Sequence, residues 1–117
     1  MSEKETTLYV TIKNVIFDTV LCEVCFHFNT QTEEITNFRL WSCFSYTSKS
    51  KMQWIDDCSY GQCYSYTKSK EELKELYKII IQKQWVGRRV YTSEPETIIP
   101  NEIRKQIERT FKRMMED

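Results

Sequence analysis

One nine-residue stretch constrains this chain more than any other: Val20-Leu21-Cys22-Glu23-Val24-Cys25-Phe26-His27-Phe28. Every second residue (Val20, Cys22, Val24, Phe26, Phe28) is apolar, and the positions between them (Leu21, Glu23, Cys25, His27) are mixed. Successive side chains of an extended chain point to opposite faces, so this alternation describes a strand with one buried side. Its β-branched and aromatic residues suit a pleated surface. The stretch is expected to be the central strand of an antiparallel sheet.

The same period recurs on both sides of it. Leu8, Val10 and Ile12 alternate with Tyr9, Thr11 and Lys13, which gives a strand over 7–13. Residues 14–18 connect it to the central strand. Residues 29–34 form a short polar hairpin loop. A third strand is expected over 35–46, with Phe38, Leu40 and Phe44 on its core face and Arg39, Trp41 and Cys43 on the other. Residues 52–55 and 63–66 read as two further strands around a turn that contains Gly61.

The period then changes to that of a helix. Ser69 and Glu72 have the spacing of a capping box. Leu73, Leu76, Tyr77 and Ile80 follow as one stripe, and Gly87 is placed to end the helix in a left-handed C-cap. Residues 88–92 read as a short strand. Pro100 opens a second helix, with Ile103, Ile107, Phe111 and Met114 as its stripe and Arg104, Lys105, Arg109, Lys112 and Arg113 as a solvated face. Strands followed by helices imply an α+β class: an antiparallel β-meander of about four to six strands with two amphipathic helices packed on its even-numbered face. Residues 1–6 are expected to be a flexible N-terminus and 7–117 a single domain.

The balance of charges excludes a strong general pull toward polyanions. Lysine and arginine number 17, aspartate and glutamate 17. Residues 1–60 hold 5 basic and 8 acidic side chains, which leaves 12 and 9 for residues 61–117, a lean of +3. No apolar run is long enough to cross a membrane, and Met1 to Thr7 is too charged for a signal peptide, so a cytoplasmic setting is expected. The chain has no alanine and only two glycines and two prolines. Those residues have GC-rich codons, so the composition suits an AT-rich genome such as that of a virus, a phage or a hyperthermophile. In a virus the setting becomes the host cytoplasm.

Five cysteines and one histidine bound the chemistry. Cys22 and Cys25 match C-x-x-C, but their odd separation within a strand sends the sulfurs to opposite faces. They are therefore not expected to share a metal or a redox bond, and neither a metal nor a cofactor is expected elsewhere. Cys58 and Cys63 flank a turn and could close a small disulfide in an oxidising compartment. His27 lies on the mixed face with Cys25 two residues before it, which is the extent of any Cys–His nucleophile pair.

One internal echo stands out. Cys43-Phe44-Ser45-Tyr46-Thr47 recurs as Cys63-Tyr64-Ser65-Tyr66-Thr67, and both copies run into Lys/Ser segments. In a meander the two strands run the same way. Lys49, Lys51, Lys68 and Lys70 would then share one edge beside a helix N-terminus, where anions are favoured. Three functions are weighed on these features. The first is a small non-enzymatic interaction protein that binds another macromolecule, a protein partner or a second copy, through Tyr9, Trp41 and Cys43; a viral or mobile-element accessory factor is a natural setting. The second is a nucleic-acid-binding module that uses the lysine edge with Trp85, Arg88 and Arg89. The third is an enzyme with Cys25 or His27 as its reactive group.

Overall fold

The computed structural model describes residues 7–17, 20–42, 44–46, 52–54, 62–65, 69–90 and 92–116, and leaves aside the side chains of 20, 42, 44–46, 52–54 and 62–65. Among the described residues eight strands and two helices follow in the order β1 (Thr7–Phe17), β2 (Val20–Asn29), β3 (Glu34–Ser42), β4 (Phe44–Tyr46), β5 (Met52–Trp54), β6 (Gln62–Ser65), α1 (Lys70–Ile80), β7 (Trp85–Arg89), β8 (Thr97–Ile98) and α2 (Asn101–Glu116). The main sheet is antiparallel and its order is β6-β3-β2-β1-β7-β8. The alternating stretch around Val24 is therefore a central strand of an α+β fold. The first three strands form a meander. The chain then crosses through α1 to place β7 on the far edge of β1.

Two departures from perfect alternation shape the sheet. In β1, Ile12 pairs with Val24 but Val15 pairs with Cys22, so one extra residue is inserted, and Asn14 there has φ 62°. In β3, Arg39 pairs with Cys25 but Thr36 pairs with His27, and Asn37 has φ 55°. Each is a β-bulge, and asparagine is among the few residues that accept the left-handed conformation readily. Each bulge flips the parity of its strand. Val10 and Ile12 face the core before the first bulge and Val15 after it, so Ile16 is turned out and left 60% exposed. In β3 the odd-numbered Ile35 and the even-numbered Phe38 and Leu40 all pack into the core.

Cys22, Val24, Phe26 and Phe28 of β2 are buried in that core. Leu73, Leu76 and Ile80 of α1 and Ile107 and Phe111 of α2 join the same cluster. Phe111 meets Phe26 edge to face at 5.7 Å and Phe38 at 6.1 Å between ring centroids. Such pairs contribute about 0.5–1.5 kcal/mol beyond the area they bury. The capping box is formed: the Glu72 amide donates to Ser69 Oγ at 3.2 Å, and the Ser69 amide donates to Glu72 Oε1 at 3.2 Å.

Several sequence expectations are corrected. Gly87 is not a helix cap. The helix ends at Ile80, with Ile81 as a right-handed cap, and Gly87 lies inside β7. A Cβ on Gly87 would sit 2.6 Å from Ile99 Cδ1 and 3.0 Å from the Tyr9 carbonyl, so close packing, not conformation, demands the glycine. The strand expected over 88–92 begins earlier, at Trp85. The third strand breaks after Ser42, and Phe44–Tyr46 pairs with Met52–Trp54 in a separate two-stranded ribbon.

The basic residues of α2 are not simply solvated. The Asn29 side chain organises the β2–β3 loop by accepting from the Gln31 and Thr32 amides at 2.8 and 3.0 Å. That loop carries Glu33 to α2. There Arg109 and Arg113 reach the Glu33 carboxylate at 3.0 and 3.6 Å, and Thr110 Oγ1 donates to its carbonyl at 2.9 Å. Arg104 lies over the Trp85 ring at 4.3 Å and donates to the Ile81 and Lys83 carbonyls at the end of α1.

Candidate functional site on the outer sheet face

The outer face is built from the residues that alternate with the core. Cross-strand partners share a face. Tyr9 opposes His27, Thr11 opposes Cys25, and Glu23 opposes Trp41, so Tyr9 and Trp41 stand on one side of the sheet. Arg39 opposes Cys25, while Arg88 and Val86 oppose Tyr9 and Thr11 from β7. Ile98 extends the row beyond Val86 and is 63% exposed.

The middle of this face is closed. Thr11 and Cys25 are buried although they point away from the main core. Thr11 Oγ1 lies 3.9 Å from Cys25 Sγ, and the Cys25 thiol donates to Glu23 Oε2 at 3.7 Å. Burial pushes the Cys25 thiol up to about 11, and the Glu23 charge adds to it. Burial also raises Glu23 above the usual carboxylate range, opposed by Lys13. The Tyr9 hydroxyl is raised by burial and by its hydrogen bond with Cys25.

Around this middle stand groups of another kind. The Tyr9 ring meets His27 edge-on at 5.5 Å, and the Arg88 guanidinium sits 5.5 Å from the Tyr9 centroid. His27 Nδ1 lies 3.0 Å from the Asn37 amide nitrogen, a contact that the bulge at Asn37 makes available. Burial lowers the His27 pKa, and the Arg39 charge lowers it further. His27 is therefore neutral at pH 7.

This arrangement does not activate a nucleophile. A reactive cysteine needs a thiolate, which requires a depressed pKa. Cys25 is moved the opposite way, and no Cys25–His27 hydrogen bond occurs among the described residues. Cys22 is buried in the core on the other side, where its thiol is also pushed up to about 11 by burial. Among the described residues no group of three or more metal-ligating side chains converges.

Among the described residues, the other expected site residues do not come together. Trp85 is buried, its Nε1 donates to the Ile80 carbonyl at 2.8 Å and its ring lies beneath Arg104, so it offers no free face for a base. Arg88 and Arg89 alternate on their strand. Arg88 is on the Tyr9 side, whereas Arg89 points to the other and is paired with Glu94. Lys70 is exposed at the start of α1. Lys49, Lys51, Lys68, Cys43 and Cys58 lie outside the described residues, as do residues 1–6, and Cys63 is described only as backbone in β6. The strands that were expected to run the same way do not: β6 pairs antiparallel with β3, Trp41 opposite Cys63, and Phe44–Tyr46 of the first copy pairs with Met52–Trp54 in the β4–β5 ribbon.

Sequence reasoning missed the buried Thr11–Cys25 pair and the approach of Arg39, Arg88 and Asn37 to the aromatic residues. The pairing register brings them together, and the bulges that set the register leave only an Asn as a trace. No helix among the described residues is long and apolar enough to cross a membrane. Compared with known protein families, curated proteins and solved structures, the chain matches none.

Proposed function

We propose that this chain is a small non-enzymatic interaction protein whose outer sheet face binds another macromolecule, either a protein partner or a second copy of itself. One observation carries the reading: Tyr9, Trp41, Arg39 and Arg88 occupy a single face of four adjacent strands. Tyrosine, tryptophan and arginine are the residue types that dominate binding energy at protein interfaces. Tyr9 is held between Arg88 and His27, so little side-chain freedom is lost when it is covered. The protonated Cys25 and the engagement of His27 with Asn37 favour binding over catalysis. A cytoplasmic accessory factor of a virus or mobile element is the setting that the composition suggests. The nucleic-acid reading loses its stacking residue with Trp85.

The test compares the natural protein with the double variant Arg39→Ala/Arg88→Ala, both exposed positions. Sedimentation across a concentration series and quantitative capture of bound proteins are run on each. The expected result is an association shown by the natural protein and lost in the variant, with thermal stability unchanged. A monomer at every concentration whose bound set is the same in both proteins refutes the reading.

A further inference from the structure

The bulge at Asn14 has a second effect. β7 pairs with β1 only from Leu8 to Ile12, whereas β2 continues alongside β1 to Phe17. Among the described residues no strand pairs with β1 on the β7 side beyond Ile12. The Thr7 carbonyl accepts from the Val90 amide at 3.1 Å, which fixes which backbone groups face β7. Alternation along β1, shifted by the extra residue of the bulge, aims the backbone N–H and C=O of Ile16 away from β2 and out of the sheet. The Ile16 side chain is turned outward at the same place and is 60% exposed.

This open edge borders a cleft. Its walls are Ile16 and Phe17 of β1 and Glu71, Glu72, Glu75 and Ile79 of α1. Glu72 is committed to the Ser69 cap. Among the described residues Glu71 and Glu75 are exposed and enter no ion pair, and no basic side chain lines the cleft. An open strand edge, an exposed isoleucine and two exposed carboxylates thus meet in one groove between a strand and a helix.

We infer that the Ile16 edge of β1 takes an extended basic peptide segment of a partner protein as an added strand, in the groove between β1 and α1. Main-chain hydrogen bonds to Ile16 supply the pairing, as in other strand-addition complexes. Side chains of an added strand alternate. Those on the Ile16 side pack against its exposed side chain, and those on the α1 side meet Glu71 and Glu75. The segment that fits therefore alternates apolar and lysine or arginine residues. An acidic segment is repelled, and a proline at a pairing position removes the required donor. The Ile16 side chain projects to the outer side of the sheet, but at the end of β1 remote from Tyr9 and Arg88, and neither surface requires the other.

The experiment uses the full chain and a fluorescent ten-residue peptide of alternating lysine and valine. Anisotropy at low salt is expected to show saturable binding, and the Ile16 amide is expected to shift in heteronuclear NMR spectra. Reversing the charges, Glu71→Lys with Glu75→Lys, is expected to weaken binding by about tenfold or more, because each exposed ion pair contributes a few-fold and reversal adds repulsion. The same peptide N-methylated at every second amide tests the natural protein without any mutation. In the register that blocks main-chain pairing it is expected to lose binding. Arg39→Ala/Arg88→Ala is expected to bind the peptide normally, so loss of the outer-face reading leaves this one standing. Absence of saturable binding overturns the inference. Equal affinity for the peptides N-methylated in either register overturns it too, because the attraction is then electrostatic alone.

Discussion

Replacing Arg104 should cost far more than an exposed helix arginine ordinarily would. Its guanidinium lies 4.3 Å from the Trp85 ring centroid, donates to Glu108 at 3.2 Å and to the Lys83 carbonyl at 3.1 Å, and also reaches the Ile81 carbonyl. The side chain is only 23% exposed. Stacking of a partly desolvated cation on tryptophan contributes about 1 kcal/mol. A cation at a helix C-terminus contributes about 0.5 kcal/mol. The two carbonyls can recover water when the arginine is removed, so each hydrogen bond counts near the low end, about 0.5 kcal/mol. The helical pair with Glu108 contributes about 0.3 kcal/mol. These contributions overlap, and Arg104→Ala is expected to cost about 2–3 kcal/mol in total, or on the order of 10 °C in melting temperature for a domain of this size. Arg104→Lys keeps the charge but loses the planar fork and much of the stack, so it should recover less than half. Urea denaturation followed by far-UV circular dichroism measures both. An alanine variant within about 0.5 kcal/mol of the natural protein, the ordinary range for surface substitutions, would refute the clamp. A lysine variant indistinguishable from the natural protein would show that charge alone matters.

The other expectations are read on the same stability assay. Gly87→Ala should destabilise by about 1–3 kcal/mol, the usual cost of overpacking, because the new methyl group meets Ile99 and the Tyr9 carbonyl; an unchanged melting curve would show that Ile99 yields without cost. Asn37→Gly should be nearly neutral whereas Asn37→Val should cost more than about 1 kcal/mol, since only the valine resists a φ of 55°; equal stabilities would show that the bulge is not held by its backbone conformation. The folded Cys22 and Cys25 thiols are pushed up to about 11 from an ordinary 9. The folded state thus keeps protons that the unfolded chain releases between pH 9 and 11. Stability should therefore fall with rising pH across that window and be insensitive to the thiols below it, and Cys25→Ala should flatten the fall.

The elements whose period was unbroken were legible from the amino acids. The alternation of residues 20–28 forecast a central strand and its buried side. The Ser69–Glu72 spacing located the start of α1 to the residue. What escaped were features set by partners distant in sequence. Gly87 looked like a cap because it follows a helical stripe, but its small size answers to Ile99 and Tyr9, which only the fold brings near. Arg104 to Arg113 looked solvated because the local Glu102 and Glu108 offset only part of their charge, and the further partners of Arg104, Arg109 and Arg113, at Glu33 and the end of α1, come from other elements. The meander reading carried the lysine edge with it. It took residues 35–46 and 63–66 to run the same way, whereas β6 pairs antiparallel with β3.

Both candidate surfaces trace back to the same local device. A strand without the Asn14 bulge would keep the parity of Val10 and Ile12, burying Ile16 and turning Val15 and Phe17 outward. The bulge instead keeps Val15 in the core and leaves Ile16 beside the groove under α1. The Asn37 bulge likewise keeps both Ile35 and Leu40 packed inward, and it aims the Asn37 amide at His27 on the opposite side of the sheet. An inserted residue weakens the hydrogen-bond ladder locally, and a chain selected for stability alone would gain by removing it. Two such insertions, each at an asparagine and each beside a surface bearing aromatic, charged or exposed apolar residues, are accounted for if the sheet is shaped to present those surfaces. Deleting Asn14 removes the inserted residue while Val15 keeps Cys22 and Ile16 keeps Leu21 as partners, so it should leave Ile16 exposed and the Tyr9–His27–Arg88 contacts of the outer face in place, with the change in heteronuclear NMR spectra confined to the β1 residues next to the deletion.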